Sequence, residues 1–494
     1  MLHSRRPRRH HGSARLSCLA ALLLALAASQ LAAQPAGVAP ASLAGAWEAG
    51  KVVNYPPALL NHEAVASFLA QAAKQSPDLF ATEEIGRSVE GRSITRISFG
   101  SGPFHVLLWS QMHGDEPTAT AALLDILAHV RRHRDEPAVR QMLAALTIHA
   151  VPMLNPDGAA RFQRRNAQGI DINRDALLLQ TPEGRALKAL RDRLNPSLGF
   201  NLHNQNWRTS VGRAGKPASI SLLAVAFDEA RTETPGRVLA KKTCSVIRDT
   251  LEGFVPGQVA RYDDEFEVRA FGDNVTKWGT PVVLIETGPH QGPNADQDLQ
   301  KLNFVAILSA LHAVASGAVQ QADPARYESL PMNAGDVFTL LIRNATIVTG
   351  TGVAPFTGDV GLASNRVIRA STTTGPRELV QAFRIDDLGD LRVFGGVETV
   401  DASGLFLVPD GGWKEGSEVT IPSWSALKAD RPVAVGAALN LALLRPLPGT
   451  RGPASAGPGA DRSPAGSGDG RYQVVRVFPA ERPLGARPAT PSRD

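Results

Sequence analysis

Between about residues 61 and 320, continuous apolar runs alternate with amphipathic stretches. The runs SITRISFG (93–100), FHVLLWSQM (104–112), LTIHAVPML (146–154), LGFNLHN (198–204), SLLAVAF (221–227) and PVVLIET (281–287) have the length of strands. Several lack polar alternation, as strands covered on both faces do. The stretches 63–75, 117–133, 183–194, 236–253 and 297–316 carry apolar residues at helical spacing. This alternation predicts an α/β domain: a mixed, mostly parallel sheet flanked by helices. In open sheets of this class, ligands collect at the carboxyl ends of strands.

The texture changes further along. TLLIRNATIVTGTG, GDVGLASNRVIRA and ETVDASGLFLVP are short β-like runs broken by Gly, Asn and Asp. They predict a small β-rich accessory module over 335–447. A low-complexity tail, 448–494, follows. Its stretch 448–470 has the composition of a disordered segment, and RYQVVRVFP after it can return one strand. Residues 34–60 read as an irregular lead-in, and 61–320 as the α/β domain.

Residues 1–33 read as a secretory signal peptide. MLHSRRPRRHHGSAR is a basic n-region, LSCLAALLLALAAS a short apolar core, and QLAAQPA offers small residues for cleavage near Ala33. The apolar run is shorter than the ~20 residues that span a bilayer. The protein is therefore expected to be exported, periplasmic or extracellular, with no stable membrane span after cleavage. An uncleaved anchor is the alternative.

That segment changes the charge balance. The chain has 494 residues, 43% hydrophobic and 20% charged, with a formal charge of +5. Its first 33 residues hold five arginines and no acid, so the remainder carries 47 cationic and 47 acidic side chains. Nothing there points to a nucleic-acid partner. One cysteine, Cys244, remains after cleavage. It excludes an internal disulfide and reads as helix core.

Candidate chemistry begins at QMHGDEPTATAALL (111–124), between an apolar run and a helix. His113-x-x-Glu116 is either a capped turn, with Pro117 in the helix's first turn, or half of a metal site. Downstream come MLNPDGAARFQRRNAQGIDINRD (153–175), FNLHNQN with His203 just past an apolar run, and PVVLIETGPH with Glu286 at the end of another. Together these motifs, in this order, resemble the M14 family of zinc carboxypeptidases, the carboxypeptidase A-like metallopeptidases. The resemblance covers roughly 60–320.

The resemblance implies a carboxypeptidase-like α/β/α fold and one zinc ion per chain, held by His113, Glu116 and His203. Three such ligands leave one position for water. Gly114 would permit unusual backbone angles in the turn. Glu286 would be the general base, with its pKa raised by partial desolvation. Arg164, ten residues before Arg174, would face the oxyanion, with Arg165 as the neighbouring alternative. Asn173 and Arg174 would bind a substrate's C-terminal carboxylate. Asp171, Asn155 and Asp157 would be structural, and Asp115 would lie behind the site or face solvent. The family's mobile tyrosine has one nearby counterpart, Tyr262, 24 residues before Glu286; Arg269 and Asp273 can shape the specificity pocket instead.

The C-terminal module also faintly resembles the β-sandwich flanking amidohydrolase barrels. It lacks their H-x-H, because no histidine follows His312. Its partner is not legible. The function implied is removal of a C-terminal residue from a peptide substrate. Two alternatives remain: an amidase acting on peptidoglycan stem peptides or N-acyl amino acids with the same site, and a non-catalytic zinc-containing binding protein.

Overall fold

The computed structural model describes residues 1, 38–213, 215–351, 353–369, 378–424, 427, 432–450 and 470–486. Apart from Met1, the expected signal peptide lies outside the described residues, as do 451–469 and 487–494 of the tail.

The lead-in is not irregular throughout. Residues Pro40–Gly50 form a helix. Pro40 begins it, where a missing N–H costs nothing. Leu43 and Trp47, one turn apart, are buried. Trp47 Nε1 donates to Asp125 at 2.7 Å, and Val52 N donates to the same carboxylate. This partner lies 78 residues downstream, so local pattern does not reveal the helix.

Nine strands follow in the first unit: β1 (Ala81–Arg87), β2 (Ser93–Gly100), β3 (Phe104–Ser110), β4 (Leu146–Val151), β5 (Leu198–Asn204), β6 (Ser210–Val211), β7 (Ile220–Ala224), β8 (Val259–Arg261) and β9 (Val282–Thr287). Eight form one sheet in the order β1-β2-β4-β3-β5-β9-β7-β8. The pairs β3/β4, β3/β5, β5/β9 and β7/β8 are parallel; the rest are antiparallel. The sheet is thus mixed and mainly parallel, as expected.

Alternation along β3 shows why its sequence is apolar throughout. Val106 and Leu108 join a core with the helices Thr118–Arg132, Pro235–Glu252 and Ala295–Ser316. Leu107 and Trp109 face the other way, toward Leu187 and Leu190 of Pro182–Leu194 and Phe271 of Phe271–Lys277. Both faces are covered, so no polar face remains. Cys244 is buried in the first of these cores.

The second unit holds β10 (Asn333–Ala334), β11 (Val337–Ile347), β12 (Phe356–Arg369), β13 (Glu378–Gly389), β14 (Gly395–Asp401), β15 (Phe406–Pro409), β16 (Glu418–Ile421), β17 (Leu441–Pro446), β18 (Gly470–Phe478) and β19 (Glu481–Ala486). Strands β11–β19 form one hydrogen-bonded sheet. The tail segment RYQVVRVFP lies in β18, between β16 and β17. Ile342, Leu362 and Ile385 share a core with Leu443 and Phe478.

The units are joined at several points. β10 pairs with β6. Arg366 on β12 bridges to Asp296 at 2.5 Å and lies 4.0 Å from the ring centre of Trp207. Ala58, Leu59 and Leu379 pack together, with Phe162 against them.

Candidate active site

β3 has β4 on one side and β5 on the other, so the chain switches direction around it. Crevices of this kind open at the carboxyl ends of strands. The turn carrying His113 and Glu116 leaves β3 there. His203 is the sixth residue of β5 and Glu286 the fifth of β9.

The turn is held by space rather than by dihedral freedom. Gly114 is not among the residues with positive φ. A Cβ there would sit 2.0 Å from the carbonyl carbon of Gly158. The helix Pro156–Arg161, opened by N-P-D-G, presses its backbone against the turn. Asn155 accepts from Gly158 N at 2.9 Å and donates to Met112 O at 3.2 Å, tying the two together. Asp157, fully buried, accepts from Ser88 Oγ, Glu90 N and Arg92.

His113, Glu116 and His203 are all buried, and their ligand atoms lie within 4.8 Å of one another. His113 Nδ1 is 2.7 Å from Glu116 Oε1, and His203 Nδ1 is 2.7 Å from Oε2. The two Nδ1 atoms are 3.1 Å apart. His113 Nε2 faces Asp171 Oδ1 at 3.1 Å. That carboxylate can only accept, so it selects the tautomer with hydrogen on Nε2 and a lone pair on Nδ1. That nitrogen, His203 Nδ1 and the Glu116 carboxylate converge on one point, an arrangement that a cation resolves. The donor set, two His and one Glu, matches a catalytic zinc site. Asp171 therefore does more than orient its loop; the sequence marked it but not its direction.

Burial alone would raise the Glu116 carboxyl, but the two imidazoles outweigh it and hold it below its ordinary range. Glu286 is different. Burial, then the charge of Glu116, push its carboxyl well above the ordinary range. Its Oε2 is buried without a partner.

Arg164 reaches the cluster: Nε donates to Asp171 Oδ2 at 2.9 Å and Nη1 to Glu116 Oε1 at 3.3 Å. Arg165 turns away, donating to Gly169 O. Asn173 Oδ1 accepts from Phe271 N at 2.8 Å. Arg174 donates to Asn173 O at 2.8 Å and pairs with Glu267 at 3.1 Å. Glu267 has no counterpart among the sequence expectations; it also pairs with Arg269. Tyr262 follows β8, with its backbone N–H on Leu222 O at 2.8 Å. The charge of Glu286, then burial, raise its phenol. His113, Glu116, Arg164, Asn173, Arg174, Tyr262 and Glu286 line one cavity of about 710 Å³, and His203 lies against it through Glu116. Leu223, Val225 and Leu284, with Phe266, Val268 and Ala270, form its apolar part, and Asn201 offers a buried Oδ1 without a partner. Asp273 also lines it, its carboxyl pushed up to about 7 by burial. Arg269 does not; it is half exposed on Glu267.

Residues 65–214 match the sequence profile of Peptidase_M14, zinc carboxypeptidase. Carboxypeptidase E of Caenorhabditis elegans is 33% identical over 129 residues, 22% of this chain and 27% of that protein. Carboxypeptidase M of Mus musculus is 26% identical over 132 residues, 23% and 30% of the two chains. The chain thus spans less than a third of the length of these curated relatives. Among solved structures, a metallo-carboxypeptidase from Burkholderia cenocepacia is 18% identical with a TM-score of 0.42, covering 51% of this chain and 68% of that one. Glu286 and Tyr262 lie outside the matched segment. The matched segment carries His113, Glu116, Arg164, Asn173, Arg174 and His203, so the similarity to zinc carboxypeptidases extends over those six residues.

Proposed function

We propose that the protein is an exported zinc metallocarboxypeptidase that removes the C-terminal residue of peptides. The observation that carries this is the convergence of His113, Glu116 and His203 in a cavity that also holds Arg164, Arg174 and Glu286. His113, Glu116 and His203 would hold one zinc ion, which supplies Lewis acidity toward a carbonyl oxygen and a water. Glu286 takes the proton of the attacking water on its carboxylate and returns it to the departing amine. Its burial favours the neutral form, so the acquired proton is well held. Arg164, its guanidinium fixed by Asp171, places donors beside the metal ligands, where negative charge develops on the carbonyl oxygen. Arg174 and Asn173 receive the terminal carboxylate; Arg174 must exchange Glu267 for it. The signal-peptide pattern of residues 1–33 supports export.

The test is hydrolysis of blocked dipeptides with free or amidated C-termini, beside muropeptides, with and without a chelator. Chelator-sensitive cleavage restricted to free termini is expected. Cleavage of muropeptides or N-acyl amino acids alone would replace this reading with the amidase one.

A further inference from the structure

The cavity at the metal ligands does not end there. Glu116, Arg164 and Asn204 also line a second cavity, of about 520 Å³. Both volumes are of the size that holds a ligand. The far wall of the second is built by the C-terminal sheet: Ser364 and Asn365 on β12 and Arg384 on β13. Trp207 and Arg366 continue it into a third cavity at the same junction, of about 700 Å³. One trench therefore runs from the first unit onto the second.

The order of residues along the trench gives it a direction. Asn173 and Arg174 line only the first cavity. Glu116 stands where the first two cavities meet. A peptide whose terminal carboxylate meets Arg174 and whose scissile carbonyl lies at Glu116 must send its upstream residues the other way. That way leads into the second cavity, between Asp115 and the sheet. The wall there is polar and accessible. Asn365 is exposed, and Arg384 keeps 55% of its side-chain exposure with one long ion pair, 3.6 Å to Asp386. The wall is also fixed, since Arg366, buried to 15% exposure, anchors β12 on Asp296 and Trp207.

We propose that the C-terminal sheet forms the upstream half of the substrate cleft, with Asn365 and Arg384 contacting peptide residues before the scissile bond. The inference rests on the carboxypeptidase reading. It assigns the protein oligopeptides rather than dipeptides or N-acyl amino acids, and it gives the second unit a role in substrate selection.

The experiment compares the full-length zinc-loaded protein on a blocked dipeptide and a blocked pentapeptide that end in the same two residues. The wild type should prefer the pentapeptide by roughly tenfold or more in kcat/KM, equivalent to one polar contact or better. Arg384→Ala and Asn365→Ala should lower that preference, acting on the pentapeptide, while Arg392→Ala, on a pair with Asp390 outside the trench, should keep it. Thermal melts and zinc content exclude misfolding. Equal use of both peptides by the wild type, or an equal loss on both in the variants, overturns the proposal and leaves the carboxypeptidase reading standing. Cleavage of neither peptide overturns both.

Discussion

His203 and Glu286 occupy one rung of the ladder between β5 and β9. The strands are parallel and in register, so the two side chains emerge on the same face of the sheet. A ligand candidate and a base candidate are thus spaced by strand geometry, not by a loop. Glu286→Gln should preserve zinc content and substrate binding and lower kcat by about 10²- to 10⁴-fold, as expected for losing a proton acceptor. A rate within a few-fold of wild type would remove Glu286 as the base.

Asp171 fixes His113 from behind. Asp171→Asn can present its amide nitrogen to Nε2, which releases the tautomer that points a lone pair at the metal. Zinc affinity should fall by roughly 10- to 100-fold, as for other carboxylates behind a ligating histidine. His113→Ala or His203→Ala should abolish retention altogether. Competition with a chelator of known affinity measures all three variants.

Arg174 rests on Glu267 in the absence of substrate. On peptides with a free terminus, Arg174→Ala should cost about 2–4 kcal/mol, roughly 30- to 1000-fold in kcat/KM. On amidated peptides it should cost little. Glu267→Gln frees the guanidinium and should lower KM for free-terminus peptides. Four specificity constants, two enzymes by two substrates, give the coupling directly.

Much of this site was legible because it is carried by short motifs at strand ends. β2 and β5 match the sequence expectation residue for residue: β5 is buried almost throughout, and β2 buries its apolar Ile94, Ile97 and Phe99. β1 was invisible: it is a largely exposed edge strand, ATEEIGR, without alternation. The helix Pro40–Gly50 was missed because its anchor, Asp125, is distant. Gly114 was marked for the wrong property, because a close approach to Gly158 depends on a second segment that spacing does not contain. Glu267 sits in a loop whose position follows from the fold alone. The contact of the second sheet with the cleft is wholly tertiary; no local pattern encodes it.

Three buried histidines outside the site, His129, His149 and His312, have pKa values lowered to about 4, in each case chiefly by burial. The unfolded chain takes up these protons near pH 6.5, whereas the folded protein resists until about pH 4. In that window these three rings bind more protons in the unfolded state, so their own contribution to stability rises with pH. The buried carboxyls of Asp273 and Glu286, raised above their ordinary range, contribute with the opposite sign. The rings are therefore read by difference: the wild type should lose more Tm than His312→Gln as pH drops from about 6.5 to 4. Equal losses in the two proteins would show that the His312 ring is not buried in neutral form.

At Gly395 the two units meet with no room for a side chain between their backbones. A Cβ on Gly395, at the start of β14, would lie 1.7 Å from the carbonyl oxygen of Gly215. Neither partner is a flexible side chain that can swing aside, and Gly215 has φ +66°. Gly395→Ala must therefore shift β14 or the loop at Gly215, next to the β6/β10 pair that joins the units. The cost should be in the overpacking range of about 1–3 kcal/mol, read as a lower Tm. Gly335→Ala is the contrast: neither Gly335 nor Gly395 has a positive φ, and nothing lies within 4 Å of a Cβ at 335. Its loss should be smaller, because no clash is introduced. If the two variants melt alike, the close approach is not what joins the units. If Gly395→Ala alone also loses activity on long peptides while keeping zinc, the junction sets the shape of the cleft.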